Sequence, residues 1–220
     1  MEDNVELIKK RIKEVEVIFF DLDGTLIDTE KVYFRFWKEA SKFFGHELSD
    51  EEALNMRSLE SVSGRAFLES LGLDYDKVRN KRIELMKEYY SHHEIEIKPY
   101  AKEFLKYLKS LNKRIYIVTA NKIEKARNII DQIHFENYID GVISAKDVMR
   151  GKPFPDVFVF ACQQVKKEPW EVIVFEDSPN GLKASYKAGC FTVMVEDMTP
   201  YTKDMDYVHA SISSFKSLLS

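Results

Sequence analysis

Two aspartates, Asp21 and Asp23, come directly after an apolar run that ends at Phe20. The run has the composition of a buried strand, and residues spaced i, i+2 in an extended segment point the same way. Two carboxylates in one small space repel each other unless a cation lies between them. Gly24 follows and lets the chain turn sharply. The pattern predicts a Mg²⁺ site here, against the alternative of a polar strand end with an ordinary turn.

A second acidic pair, Glu176 and Asp177, follows another apolar run at residues 172–175. Ligands bind at the carboxyl ends of strands in open α/β sheets, so both acidic pairs are expected at one edge of the sheet. Four carboxylates there require a divalent cation and a nearby lysine. The alternative is that Ser178 simply caps the helix that follows.

Thr119, Ala120 and Asn121 end a further apolar run. A hydroxyl at a strand end, just before a helix, is well placed to donate to phosphate oxygens. The hydroxyl of Thr119 is therefore a candidate phosphate ligand. Taken alone, the residues favour the alternative that Thr119 is the N-cap of a helix over residues 121–133.

Lys152 is the lysine that the acidic edge requires. It stands in Gly-Lys-Pro-Phe-Pro-Asp at residues 151–156, where two prolines limit the movement of the loop. Most lysines lie on solvated helix faces, whereas rigid neighbours are typical of a positioned charge. We therefore predict that Lys152 is a positioned charge, against the alternative of a loop lysine with no role.

Strands must bring these residues together, and short apolar runs alternate with helical patterns along the chain. The strand candidates are residues 15–20, 114–118, 141–144, 172–175 and 191–195, with a weaker one at 207–209. This alternation predicts an α/β fold with a doubly wound, Rossmann-like, mainly parallel sheet and helices on both faces.

One long interval between the first two strands contains helical patterns only, at residues 31–44, 50–56, 61–71 and 76–92. We predict an inserted helical cap domain over residues 29–97 that lies over the site as a lid. The α/β catalytic core then comprises residues 1–28 and 98–220. Within the insertion, Lys77, Arg79, Lys81 and Arg82 are expected on a solvated face.

Composition limits the classes of partner. The 220 residues carry a net charge of −4, with 45% hydrophobic residues, which argues against nucleic-acid binding. No apolar run approaches membrane-spanning length, and residues 1–16 lack the apolar core of a signal peptide. Cys162 and Cys190 have no metal-ligand spacing and are expected to be reduced. We expect a cytoplasmic protein; its oligomeric state stays open.

In this order, Asp-Leu-Asp-Gly-Thr at 21–25, Thr119, Lys152 and Glu176–Asp177 resemble the four motifs of the haloacid dehalogenase superfamily of phosphotransferases. The helical insertion resembles the C1 cap of that superfamily. Gly-Lys-Pro-x-Pro-Asp and Glu-Asp-Ser-x-x-Gly look like the β-phosphoglucomutase-like branch of sugar-phosphate phosphatases. The resemblance covers nearly the whole chain.

The resemblance implies a role for each residue. Asp21 attacks phosphorus and forms an aspartyl-phosphate, and Asp23 protonates the leaving alcohol and then deprotonates the attacking water. Lys152 and Thr119 hold the transferring oxygens, and Ala120 and Asn121 belong to the same phosphate-binding group. Mg²⁺ is held by Asp21, by the main-chain carbonyl of Asp23 and by Asp177. Glu176 either supports these ligands or binds the metal itself.

The resulting prediction is a Mg²⁺-dependent phosphatase that hydrolyses small phosphomonoesters such as sugar phosphates. Dehalogenation needs neither the second aspartate nor Mg²⁺, so Asp23 argues against it. A β-phosphoglucomutase-type mutase stays an alternative, weakened because Tyr33 stands where the mutase has a histidine. Arg57 and Arg65 are both candidates for its cap arginine. A non-enzymatic phospho-aspartate regulatory module is the third interpretation.

Overall fold

A six-stranded parallel sheet forms the centre of the larger of two units into which the chain divides. The computed structural model describes residues 2–58 and 61–219. The larger unit contains the residues up to Ile27 and from Ile97 onward, and the smaller unit contains Asp28–Glu96. The strands are β1 (Val17–Phe20), β2 (Arg114–Thr119), β3 (Gly141–Ser144), β4 (Val172–Glu176), β5 (Phe191–Val195) and β6 (Ala210–Ile212).

The strand order across the sheet is β3-β2-β1-β4-β5-β6, and every neighbouring pair is parallel. From β1 at the centre, the chain adds strands first on one side and then on the other. This is the doubly wound topology, so the predicted fold class is confirmed. Such a sheet places its ligand site at the carboxyl ends of the central strands, here β1, β2 and β4.

Among the described residues, the helices of this unit are α1 (Glu2–Glu14), α6 (Ala101–Ser110), α7 (Ile123–Gln132), α8 (Asp156–Val165) and α9 (Pro179–Ala188). The helices numbered between α1 and α6 belong to the smaller unit. Helices α8 and α9 bury apolar side chains against one face of β1 and β4. On the other face, Phe20 stacks on Phe175 with ring centroids 4.8 Å apart, and Phe104 of α6 meets both rings. Central strands covered on both faces are rigid supports for the residues that follow them.

Two elements differ from the sequence predictions. Helix α1 was not predicted, because the segment is rich in charged residues. Its apolar positions Ile8 and Ile12 are spaced i, i+4, and both are buried. The predicted last strand at residues 207–209 is wrong, because the strand is Ala210–Ile212 and pairs with β5 from Val193 onward. Ala-Ser-Ile has little of the β-branched or aromatic composition that marks a strand.

The smaller unit contains the helices α2 (Glu30–Phe43), α3 (Asp50–Ser58), α4 (Ser61–Ser70) and α5 (Tyr75–His92). They enclose their own apolar cluster, which includes Trp37, Leu68 and Val78. Helix α5 begins after Asp74, whose side chain accepts a hydrogen bond from the main-chain N–H of Lys77. Across the described ranges, no helix combines the length and apolar composition needed to cross a bilayer.

Candidate active site

Asp21 lies at the carboxyl end of β1 and is 7% exposed. Its main-chain N–H donates to the carbonyl of Phe175 at 2.9 Å, which continues the pairing of β1 with β4 by one residue. The chain then turns at Gly24, which has a φ of +81° and donates its N–H to Ile27 at 2.8 Å. The left-handed conformation at Gly24 favours glycine and keeps Asp21 and Asp23 on a short, fixed loop.

Asp177, the residue after β4, packs against this loop. A Cβ atom on Gly24 would lie 2.2 Å from Asp177 Oδ2, so glycine is required here for a second reason. Thr25 donates its hydroxyl to Asp177 Oδ1 at 2.9 Å, and both residues are buried. The structure therefore brings the two predicted acidic pairs together at the ends of β1 and β4. Sequence reasoning assigned no role to Thr25, although it belongs to the first motif.

Lys152 lies between the two acidic pairs. Its Nζ atom is 2.5 Å from Asp21 Oδ1 and 2.6 Å from Glu176 Oε1. The side chains of Lys152, Asp21 and Glu176 are 9%, 10% and 1% exposed. The loop after β3 thus delivers one ammonium group into a buried acidic cluster. The Lys152–Pro153 peptide bond is cis.

Burial dominates the electrostatics of this cluster. It raises the pKa of Asp21 to about 7; the charge of Lys152 opposes that shift, and repulsion from Glu176 and Asp23 adds to it. Burial alone would lower the pKa of Lys152, but Asp21 and Glu176 more than offset it, so the pKa lies above its usual value. Lys152 therefore stays protonated, and the ionisation of Asp21 responds to any further cation.

Glu176 has both carboxylate oxygens engaged. Oε1 accepts from Lys152, and Oε2 accepts from the main-chain N–H and the hydroxyl of Ser178 at 2.7 and 3.0 Å. A Cβ atom on Gly181 would lie 1.6 Å from Oε1, so only glycine at this point of α9 admits the carboxylate. These contacts make Glu176 a support for Lys152. The role of Gly181 was missed, although a glycine in the first turn of a helix is a signal of close packing.

The predicted phosphate-binding residues follow β2. Thr119 is buried, and its Oγ1 accepts from the main-chain N–H of Asn121 at 3.1 Å. Helix α7 begins at Ile123 with Lys122 as its N-cap residue, so the alternative that Thr119 caps a helix starting at residue 121 is wrong. Ala120 is exposed at this edge. The Asn121 side chain contacts the first acidic pair: its Nδ2 donates to Asp23 Oδ2 at 2.5 Å.

The chemistry of these donors fits a hard divalent cation. The metal ligands that the resemblance implies, the carboxylates of Asp21 and Asp177 and the main-chain carbonyl of Asp23, are oxygen atoms throughout, as Mg²⁺ prefers. Three buried carboxylates, the third being Glu176, are accompanied by one buried ammonium at Lys152, which leaves negative charge for a cation to balance. Within residues 2–58 and 61–219, no group of three His, Cys, Asp or Glu side chains could hold a metal ion alone. The ligand set that the resemblance implies needs only two carboxylate side chains, together with the main-chain carbonyl of Asp23.

Helix α5 of the smaller unit corrects one prediction. Arg82 does not lie on a solvated face, because its guanidinium covers the rings of Tyr33 at 4.9 Å and Trp37 at 4.3 Å. Burial lowers the pKa of Arg82. Of the two cap arginine candidates, Arg65 forms a bidentate pair with Asp76 at 2.8 and 2.9 Å, and the side chain of Arg57 lies outside the described residues.

Comparison with known proteins identifies the family. The model of the haloacid dehalogenase-like hydrolase family matches residues 18–195. The chain is 30% identical over 185 residues to a validoxylamine A 7'-phosphate phosphatase of Streptomyces hygroscopicus subsp. limoneus, covering 81% of this chain and 84% of that protein. It is 26% identical over 178 residues to a phosphorylated carbohydrates phosphatase of Thermotoga maritima, covering 80% and 82%.

Among solved structures, a β-phosphoglucomutase from Clostridium difficile superimposes with a TM-score of 0.73. The two chains are 21% identical, and the match covers 93% of each. At this identity the likeness concerns the fold, which the two proteins share along nearly their whole lengths.

Proposed function

The chain belongs to the haloacid dehalogenase-like hydrolase family, and we propose that it is a Mg²⁺-dependent phosphatase of small phosphomonoesters. The observation that carries this proposal is the contact of Lys152 with both Asp21 and Glu176. A phosphate dianion that approaches a carboxylate is repelled unless positive charge lies beside its path. A buried lysine fixed 2.5 Å from the carboxylate of Asp21 supplies that charge.

Asp21 is the proposed nucleophile. One carboxylate oxygen attacks phosphorus as the ester P–O bond breaks, so an aspartyl-phosphate forms and an alcohol leaves. Asp23 gives a proton to the leaving oxygen and then takes one from the water that attacks the aspartyl-phosphate. Lys152, the hydroxyl of Thr119 and the main chain at Ala120 hold the phosphate oxygens as charge moves between them.

Divalent metal use is general in this family, and we take the ion here to be Mg²⁺. Asp21, Asp177 and the main-chain carbonyl of Asp23 would hold it. When bound, the ion reduces the repulsion between the Asp21 carboxylate and the phosphate oxygens. Glu176 stays with Lys152, because each of its oxygens already accepts a hydrogen bond.

The relatives support a proposal for the substrate class. A phosphatase of phosphorylated carbohydrates and a phosphatase of a phosphorylated validoxylamine are both related along most of the chain. We propose a small phosphorylated sugar or a similar metabolite as the substrate, with neither nucleic acid nor membrane as a partner, and a cytoplasmic location. Residues 29–97 would act as a helical cap that selects the substrate, and residues 1–28 and 98–220 as the catalytic core.

Hydrolysis is proposed rather than mutase chemistry because of Tyr33. The resemblance aligns this residue with a cap histidine of the mutase, and a phenol cannot replace an imidazole that gains and loses a proton near neutral pH. A regulatory module that is phosphorylated once would use a phosphodonor only stoichiometrically. Repeated turnover therefore separates an enzyme from such a module.

The test measures inorganic phosphate released from a panel of phosphorylated metabolites, with Mg²⁺ and with EDTA. Wild-type protein is compared with Asp21→Asn and with Asp131→Asn, which changes an exposed carboxylate of α7. We expect many turnovers with Mg²⁺ for the wild type and Asp131→Asn, and none for Asp21→Asn. Release that persists in EDTA or in Asp21→Asn would contradict the proposal. Isomerisation of a hexose 1-phosphate without phosphate release would favour the mutase.

A further inference from the structure

Asn121 and Asp23 are in direct contact although they are far apart in sequence. Nδ2 of Asn121 donates to Oδ2 of Asp23 at 2.5 Å. The contact follows from strand register: Phe20 pairs with Ile117 across β1 and β2, so the segments after the two strands leave the sheet side by side. The side chain of Asn121 thus meets the proposed acid and base.

The orientation of the Asn121 amide is determined by its two neighbours. Lys125, in the first turn of α7, donates from Nζ to Asn121 Oδ1 at 2.9 Å. An ammonium group can only donate and an ionised carboxylate can only accept. The amide oxygen must therefore face Lys125, and the amide N–H must face Asp23, which removes the usual ambiguity of an asparagine side chain.

The main chain of Asn121 is equally fixed. Its N–H donates to Thr119 Oγ1 at 3.1 Å, and its carbonyl accepts from Ser144 Oγ at 2.6 Å. Thr119 and Ser144 are 1% and 0% exposed. A residue held through its N–H, its carbonyl and its side-chain oxygen presents its remaining donor group in one direction, as positioning of a reactive group requires.

We propose that Asn121 is a positioning residue that orients the Asp23 carboxyl group toward the leaving group. The hydrogen bond from Nδ2 to Oδ2 limits the rotation of that carboxyl group. As the ester P–O bond breaks, its electron pair goes to the leaving oxygen, which takes a proton from the Asp23 carboxyl group. The carboxylate then recovers a proton from the water that attacks the aspartyl-phosphate. The Asn121 side chain thus acts through Asp23 and not on phosphate.

This inference rests on the proposed function, and dependence on the leaving group tests it. An alkyl phosphate needs a proton at its leaving oxygen, whereas 4-nitrophenyl phosphate releases a stable phenolate without one. The value of kcat/KM covers the steps up to alcohol release, so it isolates the acid role from the later attack of water. We would compare both substrates, taking as the alkyl phosphate the best compound of the metabolite panel.

For Asn121→Ala we expect kcat/KM to fall about 10- to 100-fold with the alkyl phosphate and less than about 3-fold with 4-nitrophenyl phosphate. The loss is smaller than the roughly 100- to 10,000-fold that general acid catalysis supplies, because Asp23 itself is still present. Asp23→Asn should show the same selectivity. The double variant should lose no more than Asp23→Asn alone, because both changes remove one interaction. Asn121→Gln, which keeps an amide donor, should recover part of the loss.

The matched control is Asn137→Ala. Asn137 is an exposed residue in the segment after α7, and its side chain donates to Glu136, so this variant should behave as the wild type. If kcat/KM of Asn121→Ala falls equally with both substrates, Asn121 binds phosphate and the inference is overturned. An unchanged kcat/KM with the alkyl phosphate would also overturn it. Turnover by Asp21→Asn at the wild-type rate would instead refute the proposed function. Circular dichroism of each variant, and the parallel result for Asn121→Gln, guard against misfolding.

Discussion

Lys152 Nζ lies 2.6 Å from Glu176 Oε1, and the other oxygen of Glu176 accepts two hydrogen bonds from Ser178. Glu176 therefore joins the lysine to the start of α9, where Ser178 also accepts from the main-chain N–H of Gly181 at 3.1 Å. The charge that the proposed phosphate site requires is thus positioned by a helix terminus and not only by the loop that carries Lys152.

Replacing Lys152 by alanine should reduce kcat/KM by about 100-fold or more, because a preorganised charge beside the transferring group is lost. It should do so with alkyl and aryl phosphates alike, since the lysine contacts phosphate oxygens and not the leaving group. Lys146→Ala, in the short 3₁₀ segment Ala145–Asp147 that precedes the same loop, is the control. A near wild-type kcat/KM for Lys152→Ala would refute the role of this lysine.

Gly181→Ala should be harmful, although alanine favours a helix over glycine, by up to about 1 kcal/mol at interior positions. The new Cβ would lie 1.6 Å from Glu176 Oε1, so the carboxylate must leave its place beside Lys152. We expect a loss of about 1–3 kcal/mol in the free energy of unfolding, together with a lower kcat/KM. Gly151→Ala is the matched control, because its Cβ would meet no atom within 4 Å. Equal stability of the two variants would contradict this packing.

Mg²⁺ binding should weaken at acid pH. Burial raises the pKa of Asp21 to about 7 in the metal-free protein, and only the ionised carboxylate binds the cation, so protons compete with Mg²⁺ below that pH. We expect the apparent affinity to fall about tenfold per pH unit below about pH 7 and to level off above about pH 8. Calorimetry in two buffers of different ionisation enthalpy measures both the affinity and the released protons. An affinity that is constant between about pH 6 and pH 8 would argue against Asp21 as a ligand.

The two cysteines should be unreactive in the folded protein. Cys162 Sγ and Cys190 Sγ lie 4.0 Å apart, and both residues are buried. The hydrogen bond between them and burial raise the pKa of the Cys190 thiol well above its usual value, so the reactive thiolate is scarce at neutral pH. A thiol reagent such as DTNB should react with both cysteines in guanidinium and with neither in buffer alone. Absence of both thiols after unfolding without reductant would contradict the expectation that they are reduced.

Much of the fold was predictable because apolar runs and site residues are adjacent in the sequence. Strand β1 is buried along its whole length, so its composition shows both the strand and the edge where Asp21 emerges. The final strand was misplaced because Ala210–Ile212 is short and gains its place from pairing with β5. Arg82 was misjudged because a cation stacked on Tyr33 and Trp37 has the sequence pattern of a solvated one.

Within the site, sequence motifs predicted which residues gather but not how they contact one another. Asn121 was expected to bind phosphate, and its contact with Asp23 depends on the register of β2 against β1. The need for glycine at position 181 likewise appears only once α9 is packed against the end of β4. Such contacts link residues of distant sequence position, and local composition carries no information about them.

The central claim is that Asp21 becomes phosphorylated during turnover. Asp23→Asn should accumulate the aspartyl-phosphate, because it lacks the base that activates water. Borohydride reduces such an acyl phosphate to homoserine, which mass spectrometry locates in a peptide digest. With Mg²⁺ and a phosphorylated substrate, we predict homoserine at position 21, and none at positions 23 or 177 or in the absence of substrate. Wild-type turnover together with an unmodified Asp21 in this experiment would contradict the account.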